Sequence, residues 1–306
     1  MQTLADIREI LLAAGLAPRK ALGQNFLIDQ NLLRKLVTAA DVTPGDLVLE
    51  VGPGTGALSE CLLEAGARVV ACELDDGLAG VLEARLPARI AEQHWPGTFT
   101  LVRGDCLGKG KSVNPTLVEA LATARGGGSA GAGASPTPAF KLVANLPYGA
   151  GSPLMLALLI DHPSCSTLAV TIQREVADRL LAPPGSRDYG TLGIVAQAAA
   201  EIERVATLPP ECFWPRPEVT SAMVVLRRRA QPLTSDLGGL ARVCQRLFSQ
   251  RRKQLGSILG RSTPLPAGVR PEQRPEELTV EQWVALAQVI APAAGVTRNP
   301  PASDES

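Results

Sequence analysis

The sequence predicts an α/β protein: a mostly parallel seven-stranded sheet covered by helices, followed by a small α-helical domain. Three observations carry this. Short apolar, β-branched runs alternate with helical patterns through most of the chain, the arrangement that gives a parallel sheet with helices on both faces. The first of these runs ends in a glycine-rich turn that opens a helix. Beyond about Arg229 the pattern becomes helical.

Leu47–Val51 reads as a short buried strand, and Arg68–Glu73, 99–102, 140–144 and 167–172 as further runs of the same kind. Helical patterns such as 56–64 and 78–85 separate them. Residues 222–226 read as a late strand with 201–207 as its neighbour, so the far end of the sheet is expected to be antiparallel. Segment 126–138 is built almost wholly from Gly, Ala, Ser, Pro and Thr and reads as a flexible surface insertion between two strands. Three helices are expected after it: Leu237–Phe248, 251–259 and Val280–Ile290. This divides the chain into a large domain (1–229), a helical domain (230–292) and a disordered tail (293–306). No internal repeat is present.

Composition bounds the function. With 306 residues and a 45% hydrophobic fraction the chain can bury a full core. No apolar run reaches the ~20 residues that span a bilayer. The first nine residues carry acids and lack a basic stretch ahead of an apolar one, so no secretory signal is expected and the reading is cytoplasmic. Six scattered cysteines without a Cys-x-x-Cys pair read as reduced thiols, with no metal site. Net charge is zero, but residues 225–261 hold nine bases against one acid, Asp236. A local excess of this kind attracts phosphates even in a neutral protein.

The segment Glu50-Val51-Gly52-Pro53-Gly54-Thr55-Gly56 follows a strand and precedes a helix. Glycine lets the main chain turn sharply and lets a ligand approach where a Cβ would intrude. The third glycine stands two residues after the second, one short of the dinucleotide fingerprint, so a pyrophosphate cradle fits poorly. Glu73 ends the next strand, where an acid accepts both ribose hydroxyls of a nucleoside. Asp105 follows the strand after that, where a carboxylate meets an adenine amino group. Three sites at the carboxyl ends of successive strands line one crevice, and open α/β sheets bind ligands there. A nucleoside-type cofactor is therefore expected. A tight turn with two surface acids is the plainer alternative.

Asn145-Leu146-Pro147-Tyr148 follows the fourth strand. It suits an exocyclic amino group such as adenine N6, whose lone pair is delocalised into the ring. An amide oxygen from Asn145 and the Leu146 carbonyl, each accepting one hydrogen, favour a pyramidal nitrogen with its lone pair free. Tyr148 offers a face for stacking, worth ~1–3 kcal/mol per base, and Pro147 fixes the turn. Asn and Pro also form ordinary strand-end turns, so the tetrapeptide alone leaves both readings open.

Taken together, these motifs resemble the ribosomal RNA adenine N6-dimethyltransferase family from about Arg19 to Leu259. Gly23-Gln24-Asn25-Phe26-Leu27 resembles its N-terminal cofactor motif. Gln173-Arg174-Glu175-Val176-Ala177-Asp178-Arg179 with Ala182-Pro183-Pro184-Gly185 is characteristic of it, and Phe213-x-Pro215-x-Pro217-x-Val219 matches its second aromatic motif. The resemblance implies a Rossmann-like methyltransferase domain that uses S-adenosylmethionine. It implies that Asn25, Leu27, Gly52, Gly54, Glu73, Asp105 and Asn145 contact that cofactor, and that Phe213 covers the face of the target adenine opposite Tyr148. Asn145, Leu146, Pro147, Tyr148 and Phe213 then form the catalytic set. The implied reaction is double methylation of two neighbouring adenines in the 3′-terminal hairpin of small-subunit ribosomal RNA, with a role in subunit biogenesis. The implied partner is that RNA or a pre-assembled small subunit, met by a monomer.

Gln250-Arg251-Arg252-Lys253 resembles the family's C-terminal basic segment. Three adjacent cations on a helix fan over more than half its circumference, so they cannot all face the core. Given the wider basic cluster, Arg251, Arg252 and Lys253 are expected to contact RNA phosphates, with a solvated helix face as the plainer alternative. The chain departs from the family after Tyr148, where Gly149-Ala150-Gly151 replaces the usual Asn-Ile-Ser/Thr. Two alternatives stay open on the sequence alone. One keeps the fold but methylates DNA adenine or protein glutamine. The other is a non-catalytic RNA-binding assembly factor.

Overall fold

The computed structural model describes residues 2–125, 139–260 and 262–290. The insertion expected at 126–138 and the tail expected at 293–306 lie outside the described residues.

The chain opens with α1 (Leu4–Ala13), whose first turn is closed by Thr3 and Asp6 in a reciprocal capping pair. A short strand, β1 (Phe26–Leu27), and α2 (Gln30–Ala39) follow. Then the alternation begins: β2 (Leu47–Val51), α3 (Ala57–Glu64), β3 (Arg68–Glu73), α4 (Asp76–Gln93), β4 (Thr98–Arg103), α5 (Pro115–Ala124), β5 (Phe140–Asn145), α6 (Gly151–Asp161) and β6 (Cys165–Gln173). Two helices, α7 (Arg174–Leu181) and α8 (Thr191–Ala199), precede β7 (Ala200–Leu208), the short β8 (Phe213–Trp214) and β9 (Ser221–Arg228). The last part holds α9 (Leu237–Phe248), α10 (Leu255–Leu259) and α11 (Val280–Ile290).

The seven-stranded sheet runs β4-β3-β2-β5-β6-β9-β7. The first five strands are parallel, and β9 is antiparallel to both β6 and β7. The antiparallel end is the one the late apolar runs predict. Every residue of β2 is buried, as expected of a central strand covered on both faces. Leu47, Leu49 and Val51 share one hydrophobic layer with α5, α6 and α8, while Val48 faces the other, under α2, α3 and α4. The pleat thus feeds two cores from one strand. Helices α9 and α11 extend the first of these cores. Trp283 is fully buried and stacks on Phe248 at 5.3 Å, and the Tyr189 hydroxyl donates to the Leu278 carbonyl at 2.9 Å.

The helix expected at 251–259 starts only at Leu255. Arg251, Arg252 and Lys253 lie in turns, with the Arg251 amide bonded to Phe248 O and that of Lys253 to Gln250 O. The reason is the Arg251 side chain. Its guanidinium bonds the Glu276 carboxylate, the Arg187 carbonyl at 2.7 Å and the Ser186 carbonyl at 2.9 Å, pulling the chain out of helical register.

Candidate active site

Five parallel strands end at one edge of the sheet, and residues beyond four of them, β2, β3, β4 and β5, meet in one cleft. Asn25, Leu27, Gly52, Gly54, Glu73, Asp105, Asn145, Leu146, Pro147, Tyr148 and Phe213 all line it. Arg251, Arg252 and Lys253 do not; the last two are exposed elsewhere on the surface.

The glycine turn is tight for local reasons. Gly52, Gly54 and Gly56 all have positive φ, at 70°, 61° and 86°. A Cβ on Gly54 would sit 2.8 Å from the Phe26 ring, and one on Gly52 would press on Pro147 at 3.1 Å. The turn is held from the front by Glu73, whose Oε2 accepts the Gly54 amide at 3.0 Å and whose Oε1 accepts the Asp75 amide at 2.9 Å. Glu73 is buried, and burial raises its carboxyl above the usual range against these two hydrogen bonds. From behind, the turn is braced by residues near the N-terminus. Gln2 donates to the Thr55 carbonyl at 3.0 Å and to Glu60 at 2.9 Å, and its own oxygen accepts the Thr55 hydroxyl at 2.7 Å. Arg85 bonds the same carbonyl and the same carboxylate.

Beneath the turn lies Glu50, buried within β2 with Ser59 donating to it at 2.6 Å. Burial pushes its carboxyl up to about 8, the Ser59 bond opposes this, and the nearby Glu73 charge adds to it. Glu50 therefore carries a proton at neutral pH, which spares the cleft a second adjacent negative charge. Because the folded pKa lies above the unfolded one, Glu50 favours folding below the ordinary carboxylate range, and this contribution disappears as pH rises through about 8. Glu50→Gln is expected to lose less thermal stability than wild type between pH 5 and 8. Parallel melting-temperature curves for the two proteins would contradict this assignment.

At the other half of the cleft, the Asn145 side chain is clamped. Its Nδ2 donates to the Asn25 carbonyl at 2.9 Å, leaving Oδ1 as the free acceptor. The Leu146 amide donates to Thr171 O at 3.1 Å, and Leu146 is buried in the lining of the cleft. Tyr148 is half-buried, with its hydroxyl 3.1 Å from Ser221 Oγ. Phe213 reaches the same cleft from β8, which pairs with β1 so that Leu27 stands opposite Phe213 and Phe26 opposite Trp214. Asp105 is exposed beyond β4; one carboxylate oxygen accepts the Leu107 amide at 2.9 Å.

Sequence reasoning missed several of these contributors. Glu50 stood inside the quoted glycine segment, and an acid within an apolar strand was its signal. Ser221 carried none, since a strand-end serine is ordinary. Gln2 carried none either, because its partners are 53 and 58 residues away.

Among the described residues no helix is long and apolar enough to cross a membrane, and no group of three or more His, Cys, Asp and Glu could hold a metal ion. The chain matches the family described as Ribosomal RNA adenine dimethylase over residues 15–291. It is 39% identical over 295 residues to Ribosomal RNA small subunit methyltransferase A of Streptomyces avermitilis, covering 93% of this chain and 92% of that one. Identity to the protein of the same name from Mesorhizobium japonicum is also 39%, over 94% and 98% of the two chains. The fold is that of a dimethyladenosine transferase from Plasmodium falciparum (TM-score 0.65, 22% identity, 84% of this chain and 94% of that one). It is also that of the 23S rRNA methyltransferase ErmE (TM-score 0.59, 24% identity, 87% and 100%). The chain belongs to the ribosomal RNA adenine dimethylase family, and its reaction is the S-adenosylmethionine-dependent dimethylation of adenine in ribosomal RNA.

Proposed function

We propose that the cleft holds S-adenosylmethionine over the glycine turn and a flipped adenine of small-subunit ribosomal RNA between Tyr148 and Phe213. The residues present fit the cofactor. Gly52 and Gly54 let the turn pack directly on Pro147 and Phe26 in the wall of the cleft, Glu73 has lone pairs left for ribose hydroxyls beside its main-chain bonds, and Asp105 is exposed and lines the cleft. Asn25 and Leu27 close the cofactor side. When bound, the cofactor supplies an electrophilic methyl carbon on a sulfonium centre.

The observation that carries the reading is the clamp on Asn145. With its amide nitrogen committed to Asn25, its oxygen is left as an acceptor in a cleft also lined by Tyr148, Phe213 and the glycine turn. Asn145 Oδ1 and the Leu146 carbonyl take the two N6 hydrogens, and Pro147, packed on Gly52, fixes the distance between the halves. Positioning then lowers most of the barrier. No strong general base is required, because the nitrogen becomes acidic once it bonds to the methyl carbon. For the second transfer the monomethylated N6 presents its remaining hydrogen. The substrate is two neighbouring adenines of the 3′-terminal hairpin, met by a monomer in the cytoplasm, with a role in small-subunit biogenesis. Labelled methyl transfer to undermethylated small subunits, large subunits, DNA and glutamine peptides tests this: transfer to small subunits alone is expected, and preference for DNA or peptide would overturn it.

Tyr148→Ala and Phe213→Ala are each expected to lower RNA methylation by about tenfold or more, from lost stacking of ~1–3 kcal/mol, while leaving cofactor affinity nearly intact. Equal losses in calorimetric cofactor affinity and in turnover would argue against the sandwich.

Among the three adjacent cations, Arg251 holds its turn and Arg252 and Lys253 are exposed, so RNA contact by this segment rests on the latter two. Replacing both with Ala is expected to flatten the dependence of RNA affinity on salt by about 0.7 per lost phosphate contact, without changing cofactor affinity. Identical slopes for RNA-hairpin binding would assign these side chains to solvation. Arg251→Ala is expected to loosen the turn, because Glu276 loses its partner.

A further inference from the structure

A stacking ring helps transfer only if it is held in place relative to the acceptor that receives the amino hydrogens. Tyr148 lies three residues beyond Asn145, in a loop with two glycines after it and no Cβ contact available to Gly149. Its ring is only half-buried, and a tyrosine side chain turns about two bonds. The restraint comes from its far end. The hydroxyl lies 3.1 Å from Ser221 Oγ, and either atom can donate.

Ser221 is built to hold still. It is fully buried and begins β9, paired with Gln173 on one side and with Leu208 on the other. Alternation along β9 places it on the same face as Met223 and Val225, which pack in one hydrophobic layer with Phe213. A hydroxyl in such a layer is costly unless bonded. The neighbouring Thr171, paired with Met223 and likewise buried, has no hydrogen-bond partner for its Oγ1. Of these two hydroxyls, Ser221 alone serves Tyr148.

We propose that Ser221 is a positioning residue for the target base: its hydroxyl anchors the far end of the Tyr148 side chain and stops the ring from swinging about its first bond, so that a base stacked on it and on Phe213 presents N6 to Asn145. This rests on the reading of the cleft as an adenine site. Without the hydroxyl the ring remains but swings, and fewer bound bases reach attack geometry. The loss should therefore appear in kcat rather than KM.

The test is a double-mutant cycle on Ser221→Ala and Tyr148→Phe, with undermethylated small subunits as substrate. Each single variant is expected to lower kcat about fivefold, the scale of one neutral hydrogen bond, with KM and cofactor affinity within twofold of wild type. The double variant should be no slower than either single one. A second readout needs no turnover. The chain has two tyrosines, and in protein carrying 13C-tyrosine the Tyr148 signal, assigned by its loss in Tyr148→Phe, should move in Ser221→Ala. Wild-type transfer to subunits checks the reading of the cleft. Additive losses in the double variant, a loss confined to KM, or an unmoved Tyr148 signal would each overturn the role of Ser221 while leaving that reading in place.

Discussion

Asn145→Ala is expected to slow single-turnover methyl transfer by about 100-fold or more at saturating cofactor. The comparison is with removal of one preorganised polar group from a transition-state site, which typically costs 10²–10³ in rate. Two losses combine here. The N6 hydrogens lose the acceptor that frees the nitrogen lone pair, and the Asn25 carbonyl loses the amide that ties the N-terminal motif to the tetrapeptide. Because Asn25 lines the same cleft and is proposed to close its cofactor side, a smaller fall in cofactor affinity should accompany the rate loss. Asn145→Asp separates the two. It keeps an acceptor but cannot donate to Asn25, so it should recover part of the chemistry and none of the tie. Wild-type single-turnover rates in a folded Asn145→Ala variant would remove Asn145 from the chemistry.

Glu73→Ala should weaken S-adenosylmethionine binding by ~1.5–3 kcal/mol, the range of hydrogen bonds to a charged group. The carboxylate also holds the turn itself. It accepts the amides of Gly54 and Asp75, one on each oxygen, so its removal also frees the glycine turn. Glu73→Gln is not a gentle control, because its NH₂ group would face one of those two N–H donors. Both variants should therefore bind poorly in calorimetry. Unchanged affinity in either folded variant would place the ribose elsewhere.

Much of this was legible in the sequence because period and punctuation carry it. Alternating runs around Leu47–Val51 and Arg68–Glu73 fix a parallel sheet, and the residues just past each strand necessarily gather at one edge. That is why Gly52, Glu73, Asp105 and Asn145, spread over 94 positions, line one cleft. Interactions that depend on side-chain reach across the fold left no such trace. Arg251 reads as one of three equivalent cations, yet its guanidinium closes on Glu276 and two carbonyls 64 and 65 residues away. Gln2 reads as a terminal residue and instead braces Thr55. Both outcomes are set by tertiary geometry, which no local pattern encodes.

The clamped Asn145 is proposed to present N6 of an adenine held between Tyr148 and Phe213 for two successive transfers. The most direct test is nucleoside analysis of undermethylated small subunits after incubation with the protein and labelled S-adenosylmethionine. The label is expected in N6,N6-dimethyladenosine, with N6-methyladenosine only as a transient. Label confined to another position of adenosine, to another nucleoside, or to a ribose would contradict it.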